Sequence, residues 1–199
     1  MNLQECKTLL LVVTAILALL VASPALQRLL VYPQTEFITE MWLLGPEHTA
    51  ENYPYDITIN KNYKVFLGVS NHLGHCAYYL VQVKFSNQNK TAPDDSARTP
   101  SSLPALYNIH VVIADKEMWE LPVNFSFDYS YDINNSKVNF NRMMLNGAAL
   151  YLNGYSTTWD SENSRFFGNL IFELWIYTDA VDGFTYHGRY TDLKFNMTV

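Results

Sequence analysis

The chain changes rhythm once, near residue 36. Before that point the apolar positions are continuous. Thr8 to Ala22 carries no charge, and Ser23, Pro24, Ala25 and Leu26 prolong the run before Gln27 and Arg28. A helix of about 19 residues at ~1.5 Å rise is about 28 Å long, close to the ~30 Å hydrocarbon core of a bilayer. No polar stripe interrupts it, so the pattern is not that of a one-sided helix packed on a soluble core. Leu29, Leu30 and Val31 add a further turn if Gln27 and Arg28 snorkel. The expectation is an N-terminal transmembrane anchor over 1–31, with lipid contact through 8–26. The rival is a cleaved signal peptide, with Lys7 as the basic end and Ser23-Pro24-Ala25 as a small-x-small site. Glu5 offsets Lys7 and the apolar run continues past that site, which favours the uncleaved anchor.

From Glu36 onward the apolar positions recur every second residue. Val65, Leu67 and Val69 alternate with Phe66, Gly68 and Ser70 over Lys64 to Ser70. Tyr79, Val81, Val83 and Phe85 share one face of Ala77 to Phe85, and Tyr78, Leu80, Gln82 and Lys84 share the other. This is the pattern of a half-buried antiparallel strand. Thr35 to Leu44, Tyr107 to Ala114, Met118 to Tyr129, Lys137 to Met143, Ala148 to Leu152 and Tyr186 to Met197 read as further strands. Asn169 to Tyr177 is apolar on both faces and reads as central. The expected fold class is all-β: about eight strands forming a β-sandwich over 32–199, preceded by the one helix. Asn87 to Pro104 has three prolines and no β-branched run, so a long exposed loop is expected at 87–104. Thr157 to Arg165 reads as a second polar loop with a helical turn at Asp160-Ser161-Glu162. No internal repeat is visible.

Charge narrows the function. Thirteen Lys and Arg face nineteen Asp and Glu, a net charge of −6, and no basic run occurs. A protein that tracks phosphates needs a basic stripe, so nucleic acid is set aside as a partner. Cys6 precedes the apolar run and Cys76 follows it, so a spanning helix separates the two and no disulfide framework exists. Four Asn-x-Ser/Thr sequons, at Asn89, Asn124, Asn134 and Asn196, lean towards an exported, glycosylated domain. The expected location is the cell membrane, single-pass, with the C-terminal domain outside.

Leu44-Gly45-Pro46-Glu47 is followed by Ala50-Glu51-Asn52-Tyr53-Pro54, then Val69-x-Asn71-His72, with Tyr79, Val81 and Val83 beyond. Trp119-Glu120-x-Pro122-Val123 comes later. Over roughly Glu36 to Phe127 these motifs resemble the archaeal family of the domain of unknown function 1616. The resemblance implies a membrane-embedded part, an exported immunoglobulin-like domain, and no established activity. The residues themselves read as structural. Gly45-Pro46 ends a strand, since proline cannot donate to a ladder. Tyr53-Pro54 sets an extended turn, and Asn71-His72 with Gly74 caps a hairpin.

Candidate chemistry is sparse. His72, His75 and Cys76 offer two imidazoles and a thiol within five residues. A zinc site needs further ligands from His48, His110, His187 or a carboxylate, and two solvated histidines in a turn is the plainer reading. Acid pairs occur at Asp94-Asp95, Asp128/Asp132, Asp160/Glu162 and Asp179/Asp182, all in expected turns. None has the alternating oxygens of a calcium loop, and no nucleophile, base and orienter assemble. The expectation is a non-enzyme without cofactors. Aromatic residues crowd the last quarter, and Trp159, Trp175, Tyr177 and Tyr186 are the candidate binding patch, with Phe166, Phe167 and Tyr190 beside them. The chain thus reads as a non-catalytic binding or structural module of the cell envelope, meeting a surface protein, a glycan or copies of itself. The alternatives are a carbohydrate-binding module, a pilus-like subunit suggested by Glu5 before the apolar run, and a zinc-dependent hydrolase centred on His72 and His75.

Overall fold

The computed structural model describes residues 3–30, 37–87, 92–94 and 96–199. The chain divides into two compact units, Met1–Glu36 and Phe37–Val199. In the first, α1 spans Leu3–Leu30. Its apolar side chains from Leu9 to Val21 stand exposed. The hydroxyls of Thr8 and Thr14 donate back to the carbonyls of Gln4 and Leu10 at 3.0 and 2.8 Å. Such back-bonding satisfies a hydroxyl without water. Among the described residues no helix is long and apolar enough to cross a membrane. The described charge-free side chains run from Thr8 to Ser23, roughly 24 Å at ~1.5 Å per residue.

The second unit is antiparallel sheet with one parallel pair. Its strands are β1 (Ile38–Leu44), β2 (Asp56–Ile57), β3 (Tyr63–His72), β4 (Ala77–Ser86), β5 (Tyr107–Ile113), β6 (Met118–Asp132), β7 (Lys137–Leu145), β8 (Ala148–Tyr151), β9 (Ser156–Asp160), β10 (Arg165–Thr178) and β11 (Gly183–Met197). One half runs β1-β3-β6-β7, with β8 and β9 on the far side of β7; the other runs β5-β4-β10-β11-β2. Strand β9 joins the halves, pairing with β7 through Thr157 and with the start of β10 through Trp159. The result is one curled sheet whose halves face each other.

Alternation explains the core. Tyr79, Val81, Val83 and Phe85 of β4 are buried on the inner face, as are Val123, Phe125 and Phe127 of β6 and Leu170, Phe172 and Leu174 of β10. Phe85 reaches across to Phe127 and Phe140, with ring centroids 5.7 and 4.7 Å apart, and Phe127 meets Phe195 at 5.2 Å. These tilted and edge-to-face contacts suit the ring quadrupole. Two glycines permit close approach on the first half. A Cβ on Gly68 would stand 2.0 Å from the Trp42 ring, and one on Gly45 would stand 2.0 Å from the Glu51 carbonyl. The Leu44-Gly45-Pro46 motif therefore shapes a tight turn, in which the Gly45 amide donates to Thr49 at 2.7 Å.

Asn71 has a larger part than capping. It is fully buried, and its amide donates to the carbonyls of His75 and Ile113 at 2.8 and 2.9 Å. Its Oδ1 accepts from the Leu73 amide and the Tyr79 hydroxyl at 3.1 Å each. One side chain thus ties the β3–β4 turn to the end of β5.

Two expectations are corrected here. Thr157 to Arg165 is not a loop, because β9 occupies Ser156–Asp160 and turns into β10. Its Ser-Thr-Thr stretch lacks apolar alternation, but the β-branched threonines favour extended backbone and the segment becomes strand by completing two ladders. The segment 87–104 is not uniformly exposed either: Pro93, Ser101 and Leu103 are buried.

Candidate functional site

The outer face of the second half divides along β4 and β10. At one end Ser101 lies over it. Lys84 and Glu173 point outward from their strands yet are 3% and 0% exposed. The Lys84 ammonium donates to Glu173 Oε2 at 2.7 Å and to the Ser101 carbonyl at 3.1 Å. The Ser101 hydroxyl and amide both donate to Glu173 Oε1, at 2.6 and 2.9 Å. Every charged atom has a partner, as a buried ion pair requires. Arg98 packs against Gly188 of β11.

At the other end the face is open and aromatic. Tyr177 pairs with Phe184 and Trp175 with Tyr186 across β10 and β11. Tyr78 of β4 lies 5.0 Å from Phe184 and 6.2 Å from Tyr177 by ring centroids. His110 of β5 lies 5.5 Å from Phe184, and its Nδ1 is 3.0 Å from the Tyr78 hydroxyl. The Tyr177–Phe184 pair is edge-to-face at 5.7 Å. The Tyr177 hydroxyl donates to Asp182 Oδ1 at 2.6 Å. That bond to a carboxylate, with lesser contributions from burial and Asp179, raises the Tyr177 pKa above its ordinary value near 10.0. A depression of about 250 Å³ beside this cluster is lined by His75, Cys76, Tyr78, Ile176, Tyr177 and Asp179.

Of the four aromatic candidates, Trp175, Tyr177 and Tyr186 come together here and Trp159 does not. Trp159 sits at the opposite end of β10, opposite Phe166, with Tyr131 against the same Phe166 ring. Sequence reasoning missed Tyr78, His110 and Phe184 as members of the cluster. For Tyr78 the signal was present, since the alternation of β4 already turned it outward with Lys84.

The remaining candidates are dispersed. His75 and Cys76 are exposed and His72 is half-buried. His75 Nδ1 donates to the Leu73 carbonyl at 3.0 Å. His48 lies on Phe66 and 3.3 Å from Glu120. Among the described residues no group of three His, Cys, Asp or Glu side chains could hold a metal. The acids serve turns. Asp132 accepts from the Asn134 and Asn135 amides and the Asn135 side chain, and Asp160 does the same for Glu162 and Asn163. Both carboxyls are held below the usual range, chiefly by the side chains of Asn135 and Asn163. Of the sequons, Asn124 and Asn134 are exposed. Asn196 lies within β11, its amide donating to Asp56 at 3.0 Å and its oxygen accepting from Phe166 at 2.9 Å. Asn89 lies outside the described residues.

One buried polar chain links the halves. His187 Nε2 is 2.8 Å from Thr39 Oγ1, which is 2.9 Å from the Tyr79 hydroxyl, which in turn donates to Asn71. Burial, then the positive charges of Arg189 and Arg98, holds His187 below its ordinary pKa of 6.5. Burial likewise raises Tyr79 above its ordinary value.

Residues 33–140 match the family model described as Domain of unknown function (DUF1616). No curated protein matches the chain. Among solved structures, the beta-glucosidase from Listeria innocua in complex with glucose aligns at 8% identity and a TM-score of 0.40, over 84% of this chain and 17% of that one. The human seminal-plasma complex of Zinc 2-glycoprotein and Prolactin inducible protein aligns at 10% identity and 0.39, over 84% of this chain and 100% of the matched one. AvmM, which catalyses macrocyclization in alchivemycin A biosynthesis, aligns at 9% and 0.34, over 85% and 96%. The chain thus spans under a fifth of the beta-glucosidase. At such scores the likenesses carry no function across.

Proposed function

The chain belongs to the DUF1616 family, and from that premise we propose that it is a non-catalytic module displayed at the cell envelope, held by α1 and binding saccharide through the aromatic end of its second half-sheet. The observation that carries the reading is the cluster of Tyr78, His110, Tyr177 and Phe184, in which Tyr78 and His110 are exposed and Tyr177 and Phe184 half-buried. Sugars offer apolar ring faces edged with hydroxyls. Aromatic rings stack on such faces, and the imidazole, the phenols and Asp179 and Asp182 supply hydrogen-bonding groups around them. Mutual packing fixes the rings before binding, which reduces the ordering cost.

Anchoring rests on the run that continues through Leu26 in the sequence, bringing the apolar stretch to about 28 Å. The back-bonded threonines suit an apolar surrounding. The exposed sequons Asn124 and Asn134 fit a domain outside the cell. The face-to-face antiparallel halves fit an immunoglobulin-like class. The test is a glycan array probed with the detergent-solubilised full chain. A signal lost on Tyr177→Ala and on Phe184→Ala supports the reading. An array without signal sinks the ligand class, and alkaline extraction of the chain from membranes sinks the anchor.

A further inference from the structure

A sheet edge offers a row of unpaired backbone N–H and C=O groups, and proteins guard such rows with short strands, charge, proline or a covering loop. The edges of this curled sheet differ in their guards. β2 has two residues and β8 four. β1 carries Glu40, and the Tyr53 hydroxyl donates to its Leu43 carbonyl at 2.7 Å. Among the described residues β5 has none of these. It is seven residues long, contains no Asp, Glu, Lys, Arg or Pro, and among the described residues pairs only with β4, in a register unbroken from Ala77↔Ile113 to Val83↔Tyr107. Val112 is 64% exposed on its outer face.

We propose that β5 is the interface through which two copies of this chain pair, edge to edge and antiparallel, about a two-fold axis at His110. A second copy is the occupant the strand chemistry favours. An uncharged strand meets itself without like-charge opposition, and it carries no charge pattern that selects a different peptide. Centring on His110 lets all seven residues find partners and sets Asn108 opposite Val112 of the other copy. A two-fold axis normal to the sheet keeps the outer faces on one side. The two aromatic ends then form one bivalent surface along the joined edges, which raises avidity without new contacts. A seven-residue ladder is small beside the ~1,200–2,000 Å² of a stable interface. The pair therefore exchanges readily, and the experiment must trap it.

The test uses the detergent-solubilised full chain with Cys6→Ser and Cys76→Ser. In the proposed pair the Cα atoms at position 110 lie about 4.5–5.5 Å apart, within reach of a disulfide. His110→Cys should give a cross-linked dimer under mild oxidation, several-fold above Tyr151→Cys on the β8 edge. Adding Asn108→Lys with Val112→Lys sets like charges opposite each other and should abolish the cross-link. Replacing that pair by Asn108→Asp with Val112→Lys sets opposite charges together and should restore it. All three positions are exposed, and circular dichroism checks that each variant keeps its sheet. Yields equal in all three backgrounds, no excess over Tyr151→Cys, or failure of the Asp/Lys pair to restore the cross-link overturns the proposal. None of these outcomes depends on saccharide binding.

Discussion

The two ends of the outer β4–β10 face are built from the same strands and end in opposite states. One end carries Lys84 and Glu173, the most polar side chains on the face, and is sealed. The other carries Tyr78, Tyr177 and Phe184 and is open to solvent. Simple polarity predicts the reverse. The difference lies in the loop: Ser101 presents a hydroxyl, an amide and a carbonyl at the one place where a carboxylate and an ammonium need them. A charge can be covered only by groups that replace its water, whereas rings can stay half-wet at little cost.

Cutting the sealed end should give the largest effect. Glu173→Ala leaves the Lys84 ammonium buried against one carbonyl and should cost about 3–5 kcal/mol in a denaturant melt. The paired replacement Lys84→Met with Glu173→Leu should recover most of that loss, since apolar isosteres of buried pairs are often neutral or better. A double variant as weak as the single one would show that the pair is not the source of the cost. Ser101→Ala removes one hydrogen bond to a charged acceptor and should cost roughly 1.5–3 kcal/mol, with faster proteolysis within 87–104.

The open end should respond less in stability. Phe184→Ala removes edge-to-face partners of Tyr78 and Tyr177 and should cost roughly 1 kcal/mol for the ring contacts while abolishing ligand binding. A loss as large as that of Glu173→Ala would mean that the aromatic end is core.

Titration sharpens the contrast further. His187 is depressed in the folded protein, so the unfolded chain takes up a proton near pH 6.5 and the folded chain does not. Its contribution is complete above pH 6.5 and declines as pH falls through the lower folded pKa. His187→Gln should flatten that part of the stability curve. The smallest effect is expected at Tyr177. Asp182→Asn should move its phenolate absorbance midpoint down towards the ordinary value with the fold unchanged.

Legibility followed the same division. The strands with clean alternation, β3, β4 and β6, were readable to within two or three residues, because period two commits a side chain to one face. Strand β9 was not, since Ser156-Thr157-Thr158 carries no apolar signal and gains its ladder from two distant partners. Lys84 read as a solvent-facing residue, because nothing local announces that Ser101 and Glu173 will meet it. Trp159 was grouped with Trp175 by nearness along the chain, but they stand at opposite ends of β10's ladder. Tyr78 and His110 join Tyr177 only because β4 inserts between β10 and β5.

By itself the sequence determined the local terms: an apolar helix, the strands with clean alternation, the faces they bury, and the turns at Gly45 and Asn71. These depend on bonds and periodicities spanning a few residues. Tertiary structure decided which outward faces stay outward. That choice depends on contacts between residues as far apart as Ser101 and Glu173, whose energies exist only once the sheet has curled and brought its strands into order.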